Sequence, residues 1–383
     1  MKFKELVDLI TEEELDFLSV ETKVDHQVKK LKGVIMFKLL LYTMLERKDS
    51  SLRVMETIFN SSKFKIIAKT EKVNTKYNSI SDRLTTINVD FFEKLFNLVF
   101  KKFNTYLSEE NALQIYDSTM VGLSSKLVDW DMRVGKRTNK VQLKFTVGIQ
   151  GSLPCTFKIF DERSALCEDN TIPKVILEYK ENKAGIVVFD RGVQKRTTFV
   201  EFSNENIIFI TRIKTSLNYN CFEVNNYLTE NNVNVEIHED LKIYFINRRN
   251  MKSIETPFRL IKSTRKETGE DIYFVTNNFE LTPYEIADIY KRRWEIEVYF
   301  RFIKQELNFK HLVNRSMNGI KVMMYMTMIL SILITIYKKE NKKTGYKIVK
   351  LEIINEIYDS LLREIVIMSG GNPDLITHYL NDS

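Results

Sequence analysis

The stretch Ala184-Gly185-Ile186-Val187-Val188-Phe189-Asp190 is an unbroken apolar run that ends in an acid. Such a run is typical of a strand buried on both faces of a parallel sheet. Alternation and turn residues predict three strands and a helix before it, and a helix and one more strand after it. The predicted elements are strands 113–117, 142–150 and 153–160, helix 172–179, strand 184–189, helix 194–202 and strand 207–211.

This order of elements resembles the ribonuclease-H-like fold, in which a mixed sheet carries helices on its faces. Further strands are predicted at 233–237, 241–246, 258–263 and 272–276. A long helix is predicted next, over 284–307, with Pro283 in its first turn. The expected fold class is therefore α/β. A ribonuclease-H-like catalytic core covers 111–215 and 281–340, and a β-rich domain is inserted over 216–280.

Residues 1–110 are predicted to form an all-helical domain. An apolar stretch at 35–45 indicates one of its helices. The strongly basic segment 63–83 follows a predicted helix at 51–59 and leads into another at 79–87. Two interpretations stay open here: a helix-turn-helix that reads DNA, and a solvated loop within a helical domain.

The segment 322–337 is apolar apart from Thr327, Ser331 and Thr335. It is shorter than the roughly 20 residues that a helix needs to cross a bilayer. We therefore expect a buried helix in a multi-domain core, and no membrane association. The remaining residues, 341–383, are predicted to form a C-terminal helical segment.

Composition and charge limit the possible functions. The chain has 383 residues, 44% hydrophobic and 28% charged, as expected for a globular protein of two or three domains. Its net charge of +7 favours a polyanionic partner only slightly. Three cysteines without a paired motif favour a reducing cytoplasm. The four histidines are scattered, so the sequence shows neither a zinc cluster nor a histidine-centred triad. Acidic residues follow Met1 closely, so no signal peptide is expected.

Two acids stand at the ends of predicted strands. Asp117 and Asp190 each close an apolar strand, where a rigid backbone holds the side chain at the sheet edge. Carboxylates that converge at such an edge can hold two metal ions about 4 Å apart for phosphodiester chemistry. Asp161, after the strand 153–160, is the main rival. A lone strand-end aspartate also commonly forms a turn or caps a helix.

A third acid lies on the long predicted helix. At about 100° per residue, Tyr290, Arg293, Glu297 and Lys304 project from one narrow stripe, whereas Glu295 lies on the opposite face. Arg293 and Glu297 could be an ordinary surface ion pair four residues apart. Apolar neighbours instead indicate a largely buried helix, which favours a functional carboxylate. These neighbours are Trp294, Ile296, Val298, Tyr299, Phe300 and Phe302.

The four residues of this stripe have the spacing Y-x2-R-x3-E-x6-K. The spacing resembles the YREK signature of bacterial insertion-sequence transposases of the IS-four family, which are DDE enzymes. Two further boxes stand in the same order as in that family, Tyr116-Asp117-Ser118-Thr119 and Phe189-Asp190-Arg191-Gly192. The β-rich segment also lies where this family inserts a β-domain. The resemblance covers roughly residues 110 to 335, and Val193 stands where the second box commonly has tyrosine.

The resemblance implies a DNA transposase that binds terminal inverted repeats, cuts DNA and joins it to target DNA, typically through a hairpin. The implied metal ligands and catalytic residues are Asp117, Asp190 and Glu297, with two Mg²⁺ ions that Mn²⁺ can replace. Within the signature, Tyr290, Arg293 and Lys304 would bind phosphates. Basic residues after the two boxes would bind DNA or could equally be solvated surface, namely Arg133, Lys136, Arg137, Lys140, Lys144, Arg191, Lys195, Arg196 and Arg212.

The expected partners are double-stranded transposon ends and target DNA, bound by a homodimer in the bacterial cytoplasm, on the nucleoid. Some relatives place a tryptophan of the β-domain against a flipped base. Here another aromatic residue would take that role, such as Tyr219, Phe222 or Tyr244. Two alternatives stay open: a DNA-binding repressor that has lost catalysis, against which the intact triad argues, and a ribonuclease-H-like nuclease that cuts without joining.

Overall fold

The computed structural model describes residues 1–46, 51–70, 73–106, 113–123, 141–179, 185–227, 234–247, 252–307, 309 and 313–376. The chain divides into two compact units. One is Leu107–Phe300, and the other combines Met1–Tyr106 with Arg301–Ser383. The first unit is built on a nine-stranded sheet, and the second is helical.

One mixed sheet forms the framework of the α/β unit. Its strands lie in the order β3-β2-β1-β4-β5-β9-β8-β7-β6. Strands β1, β4 and β5 run parallel to one another, and all other neighbours pair antiparallel. The strands are β1 Leu113–Leu123, β2 Val141–Gln150, β3 Leu153–Phe160, β4 Ile186–Phe189, β5 Ile208–Ile213, β6 Tyr219–Val224, β7 Val235–Phe245, β8 Phe258–Arg265 and β9 Asp271–Thr276.

The hairpin between β2 and β3 turns at Gly151 and Ser152. Both residues have positive φ, 53° and 72°. Two successive residues of this kind are what a type I′ turn needs, and its twist matches that of the strands it joins. The predicted strands 142–150 and 153–160 are confirmed.

Two helices, α8 (Ile172–Glu178) and α9 (Arg196–Asn204), share an apolar core with the sheet. At its centre the ring of Phe189 on β4 lies 5.9 Å from those of Phe202 on α9 and Phe209 on β5. Each fully buried phenylalanine contributes about 1.5–3 kcal/mol by leaving water. The predicted order of elements from β1 to β5 is confirmed.

Strands β6 to β9 extend the same sheet rather than forming a separate one. Strand β9 pairs antiparallel with β5, with Ile210 opposite Thr276. Two strands are predicted where the structure has the single strand β7, whose register shifts between Ile237 and Glu239. The sequence does not predict β6, because five of its six residues are exposed and leave no apolar face to detect.

A buried ion pair holds β7 and β8 together. The Arg259 guanidinium donates from Nε and Nη2 to the two carboxylate oxygens of Asp240 at 2.9 and 2.6 Å. Both side chains are almost fully buried, with 5% and 1% exposed. Arg259 Nη1 also donates to the carbonyl of Leu281 at 2.5 Å, just before helix α10 (Pro283–Lys291).

The helix predicted over 284–307 is two helices in the structure. Helix α10 ends at Lys291, and helix α11 (Trp294–Gln305) begins after a turn at Arg292 and Arg293. No proline or glycine marks this break, so the prediction of one continuous helix is wrong for a reason that local sequence does not reveal. Capping at the start of α10 follows the expected pattern, since Thr282 accepts a hydrogen bond from the Glu285 amide.

The helical unit surrounds one apolar helix. Helix α12 is long and apolar enough to cross a membrane, but 89% of its most apolar window is buried inside the protein. The prediction of a buried helix is confirmed. The helices of this unit are α1 Phe3–Asp8, α2 Glu12–Glu21, α3 Gly33–Glu46, α4 Leu52–Asn60, α5 Ser62–Ala68, α6 Tyr77–Thr86, α7 Val89–Asn104, α12 Met317–Glu340 and α13 Tyr346–Met368, together with the last part of α11.

Two features of the helical unit differ from the sequence-based expectations. The basic segment between α4 and α6 contains a further helix, α5, so it is neither a simple helix-turn-helix connection nor a plain loop. Helices α12 and α13 pack with the N-terminal helices, whereas 281–340 is predicted to belong to the catalytic core and 341–383 to a separate segment. The physical reason is α12, which is apolar all round and needs helices on every side.

Candidate active site

The register of the sheet places Asp117 and Asp190 side by side. Strands β1 and β4 pair in parallel, and their last partners are Tyr116 and Phe189, so the next residue on each strand is the acid. Neighbouring strands lie about 4.8 Å apart. Asp117 is predicted to end its strand, but β1 continues along β2 to Leu123. It lies instead where the pairing with β4 ends.

Hydrogen bonds fix the backbone around both aspartates. The Thr211 hydroxyl on β5 donates to the Asp190 carbonyl at 3.1 Å. The Gly192 amide donates to Asp190 Oδ1 at 2.8 Å, and the Ser118 amide donates to Asp117 Oδ1 at 2.7 Å. One oxygen of each carboxylate therefore accepts a hydrogen bond from a backbone amide of its own strand or loop.

Glu297 lies in the first turn of α11, just after the break from α10. Hydrogen bonds that reach three residues back close this break, such as that from the Glu295 amide to the Arg292 carbonyl at 2.8 Å. The start of a helix stabilises negative charge through its dipole. The break thus places Glu297 in the first turn of a helix and not in the middle of one long helix.

Arg293 connects Glu297 to Asp117. Its Nη2 donates to Glu297 Oε1 at 2.6 Å, and its Nη1 lies 3.8 Å from Asp117 Oδ2. The guanidinium side chain is only 18% exposed. Tyr290 lies against the same guanidinium, with a hydrogen bond between them, and burial raises its pKa to about 12.

The charges of the other two acids affect the pKa of Asp117. Burial raises the pKa of Asp117 to about 6. The charges of Asp190 and Glu297 act in the same direction, while the Ser118 amide and Arg293 oppose them. Asp117, Asp190 and Glu297 therefore form one interacting group, although they come from three distant parts of the sequence.

A fourth acid, Glu168, joins this group and is not among the predicted site residues. It hydrogen bonds to Asp190, and its pKa is raised to about 8, first by burial and then by Asp190. The ammonium of Lys144 on β2 lies 3.9 Å from Glu168, and this lysine side chain is 4% exposed. Lys144 is predicted either to bind DNA or to be solvated surface, and its burial excludes the second alternative.

The donor set suits a hard divalent cation. Carboxylate oxygens are the ligands that Mg²⁺ and Mn²⁺ prefer, and Asp117, Asp190 and Glu297 could supply them. Within the described ranges, no three acidic, histidine or cysteine side chains already surround a common point. The cations of Arg293 and Lys144 lie among the carboxylates instead and offset part of their charge.

A basic groove of about 820 Å³ lies along α10, α11 and β9 and is lined by Arg293, which contacts Glu297 and Asp117. Its cations include Arg212, Arg265, Lys291, Arg292 and Arg293, and Tyr290, Phe274 and Trp294 line it as well. Arg212 is held by Glu270, whose Oε1 accepts a hydrogen bond at 2.9 Å. Guanidinium groups beside aromatic rings can bind phosphate and stack on bases.

The other predicted site residues fall in several places. Arg191 is exposed, and Lys304 lies in the last turn of α11. Arg196 packs over the ring of Phe245 at 4.4 Å. Phe222 is 47% exposed and stacks on Tyr244 with ring centroids 4.5 Å apart. Arg133, Lys136, Arg137 and Lys140 lie outside the described residues.

The two rival acids do not join the group. Asp161 is exposed at the end of β3. Glu295 accepts a hydrogen bond from Arg292 Nε at 2.8 Å. The apolar residues beside Glu297 are divided: Ile296, Tyr299, Phe300 and Phe302 are buried, whereas Trp294 and Val298 are 54% and 44% exposed. The expectation of a mostly buried flank is wrong at those two positions.

Comparison with known families decides the identity. The sequence profile of the transposase DDE domain matches residues 110–333. The chain belongs to the DDE transposase family. Members of this family depend on divalent metal ions, so this DNA transposase is a metal-dependent enzyme of bacterial insertion-sequence type.

Similar proteins carry the same description. A probable transposase for insertion sequence element IS5377 of Geobacillus stearothermophilus is 24% identical over 291 residues, which are 75% of this chain and 74% of that protein. A protein of Synechocystis, described as a transposase for insertion sequence element IS4SA, is 26% identical over 57% of this chain and 58% of its own length. Among solved structures, the piggyBac transposase synaptic complex with hairpin DNA matches with a TM-score of 0.45 and 10% identity, over 95% of this chain and 82% of that chain.

Proposed function

We propose that this transposase binds the terminal inverted repeats of its element, cuts DNA there and joins the freed end to target DNA. Asp117, Asp190 and Glu297 would hold two Mg²⁺ ions, which Mn²⁺ can replace. The observation that carries the proposal is that Arg293 bridges Asp117 and Glu297. Asp190 follows the neighbouring strand β4 at the position beside Asp117. Ionised carboxylates that gather in this way need cations to offset them.

The sheet supports a ribonuclease-H-like core. Its first five strands lie in the order β3-β2-β1-β4-β5, with β1, β4 and β5 parallel and helices α8 and α9 between the parallel strands in sequence. We assign the core to 111–215 together with the segment that carries α10 and the first part of α11. The strands of 216–280 are then an insertion that has joined the core sheet.

The residues around the acids would each do one task. When bound, the metal ions activate the attacking oxygen and offset charge on the leaving oxygen. Asp117 and Asp190 hold their positions through backbone hydrogen bonds, and Glu297 is fixed by the helix start. Arg293 and Tyr290 would orient a DNA phosphate, because a planar guanidinium can donate two parallel hydrogen bonds to it.

DNA would bind along the basic groove and on the helical region 1–110. Arg212 lies in that groove, and Arg191, Lys304, Arg133, Lys136 and Arg137 would add further phosphate contacts. A homodimer would bring two transposon ends together, in the cytoplasm and on the nucleoid. A hairpin intermediate follows from the family resemblance, and the exposed ring of Phe222, already stacked on Tyr244, is suited to receive a flipped base.

The test uses the inverted repeats that flank the gene. The purified protein is incubated with a labelled repeat end and Mg²⁺, and nicks, hairpins and joined products are separated on denaturing gels. Asp190→Asn should reduce cleavage to background while DNA binding in a gel-shift assay survives, because the phosphate contacts come from other residues. Asp161→Asn is the matched control and should cut like the wild type.

Each other result points to a different function. Cleavage without joined products would favour a nuclease. Specific binding without cleavage by the wild type would favour a repressor. Loss of both binding and cleavage in Asp190→Asn would assign Asp190 a structural role and overturn its place among the metal ligands.

A further inference from the structure

Glu168 has no role in the predicted triad, yet it lies beside the loop that carries Asp190. It begins a short 3-10 turn, Glu168–Asn170, which precedes helix α8. The next residue, Asp169, fastens this turn to the Asp190 loop, because its Oδ1 accepts hydrogen bonds from the amides of Gln194 and Lys195 at 2.6 and 2.9 Å. The backbone therefore holds Glu168 beside Asp190 independently of any bond between the two side chains.

The carboxyl groups of Glu168 and Asp190 both lie close to the backbone of Gly192. A Cβ on Gly192 would lie 1.6 Å from Glu168 Oε2 and 2.9 Å from Asp190 Oδ1. The sum of these distances, about 4.5 Å, is the upper limit of the separation between the two oxygens. Only glycine leaves room for the Glu168 carboxylate here. This steric requirement explains why glycine follows Asp190 and Arg191 in the second box.

Lys144 supports the same arrangement from β2. Its buried ammonium lies 3.9 Å from Glu168 Oε1 and donates to the Leu166 carbonyl at 3.3 Å, just before the 3-10 turn. A buried lysine beside a carboxylate attracts it and limits its movement. Glu168 is thus held by the 3-10 turn to which it belongs, by the ammonium of Lys144 and by close packing against Gly192.

We propose that Glu168 is a fourth carboxylate of the active site, a positioning residue that holds Asp190 in place for metal binding. The proposal rests on the proposed metal-binding role of Asp190. Groups that orient a metal ligand typically change metal affinity by about 10- to 100-fold when removed. Gly192 has an indirect part, since it keeps open the space that the Glu168 carboxylate fills.

The test is Mn²⁺ binding by the full-length protein, measured by titration calorimetry with MnCl₂ and without DNA. Glu168→Gln should weaken Mn²⁺ affinity by about 10- to 100-fold. Gly192→Ala should weaken it to a similar degree, because the added carbon displaces the Glu168 carboxylate. The matched control is Glu201→Gln, an exposed position on α9, which should bind Mn²⁺ like the wild type.

A double variant separates this role from a direct effect on Asp190. If Gly192→Ala acts through Glu168, the affinity of Glu168→Gln/Gly192→Ala should equal that of the weaker single variant. Additive losses would overturn the link between Gly192 and Glu168. Melting temperatures are recorded for all variants, and a lowered melting temperature with unchanged Mn²⁺ affinity in Glu168→Gln would overturn the positioning role.

Asp190→Asn distinguishes the two proposals. If it loses Mn²⁺ binding while Glu168→Gln and Gly192→Ala bind like the wild type, the inference about Glu168 is wrong and the metal site stands. If Asp190→Asn itself binds Mn²⁺ like the wild type, the proposed metal site is wrong. Because the readout is binding and not turnover, neither outcome depends on finding the correct DNA end.

Discussion

Arg293 Nη2 lies 2.6 Å from Glu297 Oε1, and the same guanidinium reaches to 3.8 Å from Asp117 Oδ2. In an ordinary surface ion pair four residues apart, each side chain has one partner, and the pair adds a few tenths of a kcal/mol to the stability of the protein. This pair has a second carboxylate and is mostly buried. Arg293 therefore belongs to the buried cluster that it forms with Asp117 and Glu297, and it is not one half of an exposed ion pair on a helix face.

Arg293→Ala should reduce the single-turnover cleavage rate on the order of 100-fold, because it removes a preorganised donor to the reacting phosphate. Arg293→Lys should recover only part of this loss, since a point charge lacks the planar pair of donors. Rates are measured on uncut and pre-cut transposon ends. A wild-type rate for Arg293→Ala would return Arg293 to the ordinary surface pairs.

Asp117→Asn should stabilise the metal-free protein at neutral pH. The pKa of Asp117 is raised to about 6 by burial, so the folded state binds this proton more tightly than the unfolded state. The ionised side chain then opposes folding fully above about pH 6, and the effect disappears as the pH falls below the unfolded pKa of about 4.

The pKa difference of about two units corresponds to a gain for Asp117→Asn of up to about 3 kcal/mol at pH 7.5 and close to none at pH 4. It is measured by urea unfolding in EDTA at a series of pH values, with Asp161→Asn as the control at an exposed position. A gain that stays constant with pH would show that ionisation of Asp117 is not its cause.

Arg259→Met should destabilise the α/β unit by about 3–5 kcal/mol, because it leaves the buried Asp240 carboxylate without its main partner. The double variant Arg259→Met/Asp240→Leu should be less destabilised than Arg259→Met alone, since no buried charge remains. Arg265→Met on the same strand breaks only a half-exposed contact of 3.7 Å and should change stability by less than about 0.5 kcal/mol. Urea unfolding curves of the four proteins decide the order.

Arg212→Ala should weaken DNA binding and reduce its salt dependence. One lost phosphate contact lowers the slope of log affinity against log salt by about 0.9. The control Lys347→Ala removes an exposed cation of α13 and should leave the slope unchanged. An unaltered slope for Arg212→Ala would exclude this part of the groove from the DNA contacts.

Apolar patterning predicts the strands that are buried, and these determine where Asp117 and Asp190 lie. The run before Asp190 is typical of a central strand, and its parallel register with β1 places the two acids next to each other. Strand β6 has no such pattern because it is mostly exposed. The continuation of β1 beyond Asp117 depends on pairing with β2, which residues 118–123 alone do not indicate.

Other parts of the site depend on tertiary contacts. Arginine favours helices, so the sequence around Arg292 and Arg293 predicts a continuous helix where the structure has a break. Glu168 stands just before a helix, where an acid commonly serves as a cap, and nothing local distinguishes it. Lys144 alternates with apolar residues as a surface lysine would, yet its side chain is buried against Glu168.

Each strand from β3 to β6 is hydrogen-bonded to its neighbours, so the nine strands form one sheet. The outer strands β6 to β9 are therefore linked through β9 and β5 to β4, the strand that leads to Asp190. In such a sheet, a change in the twist of the outer strands would also change the relative positions of the strands that carry Asp117 and Asp190.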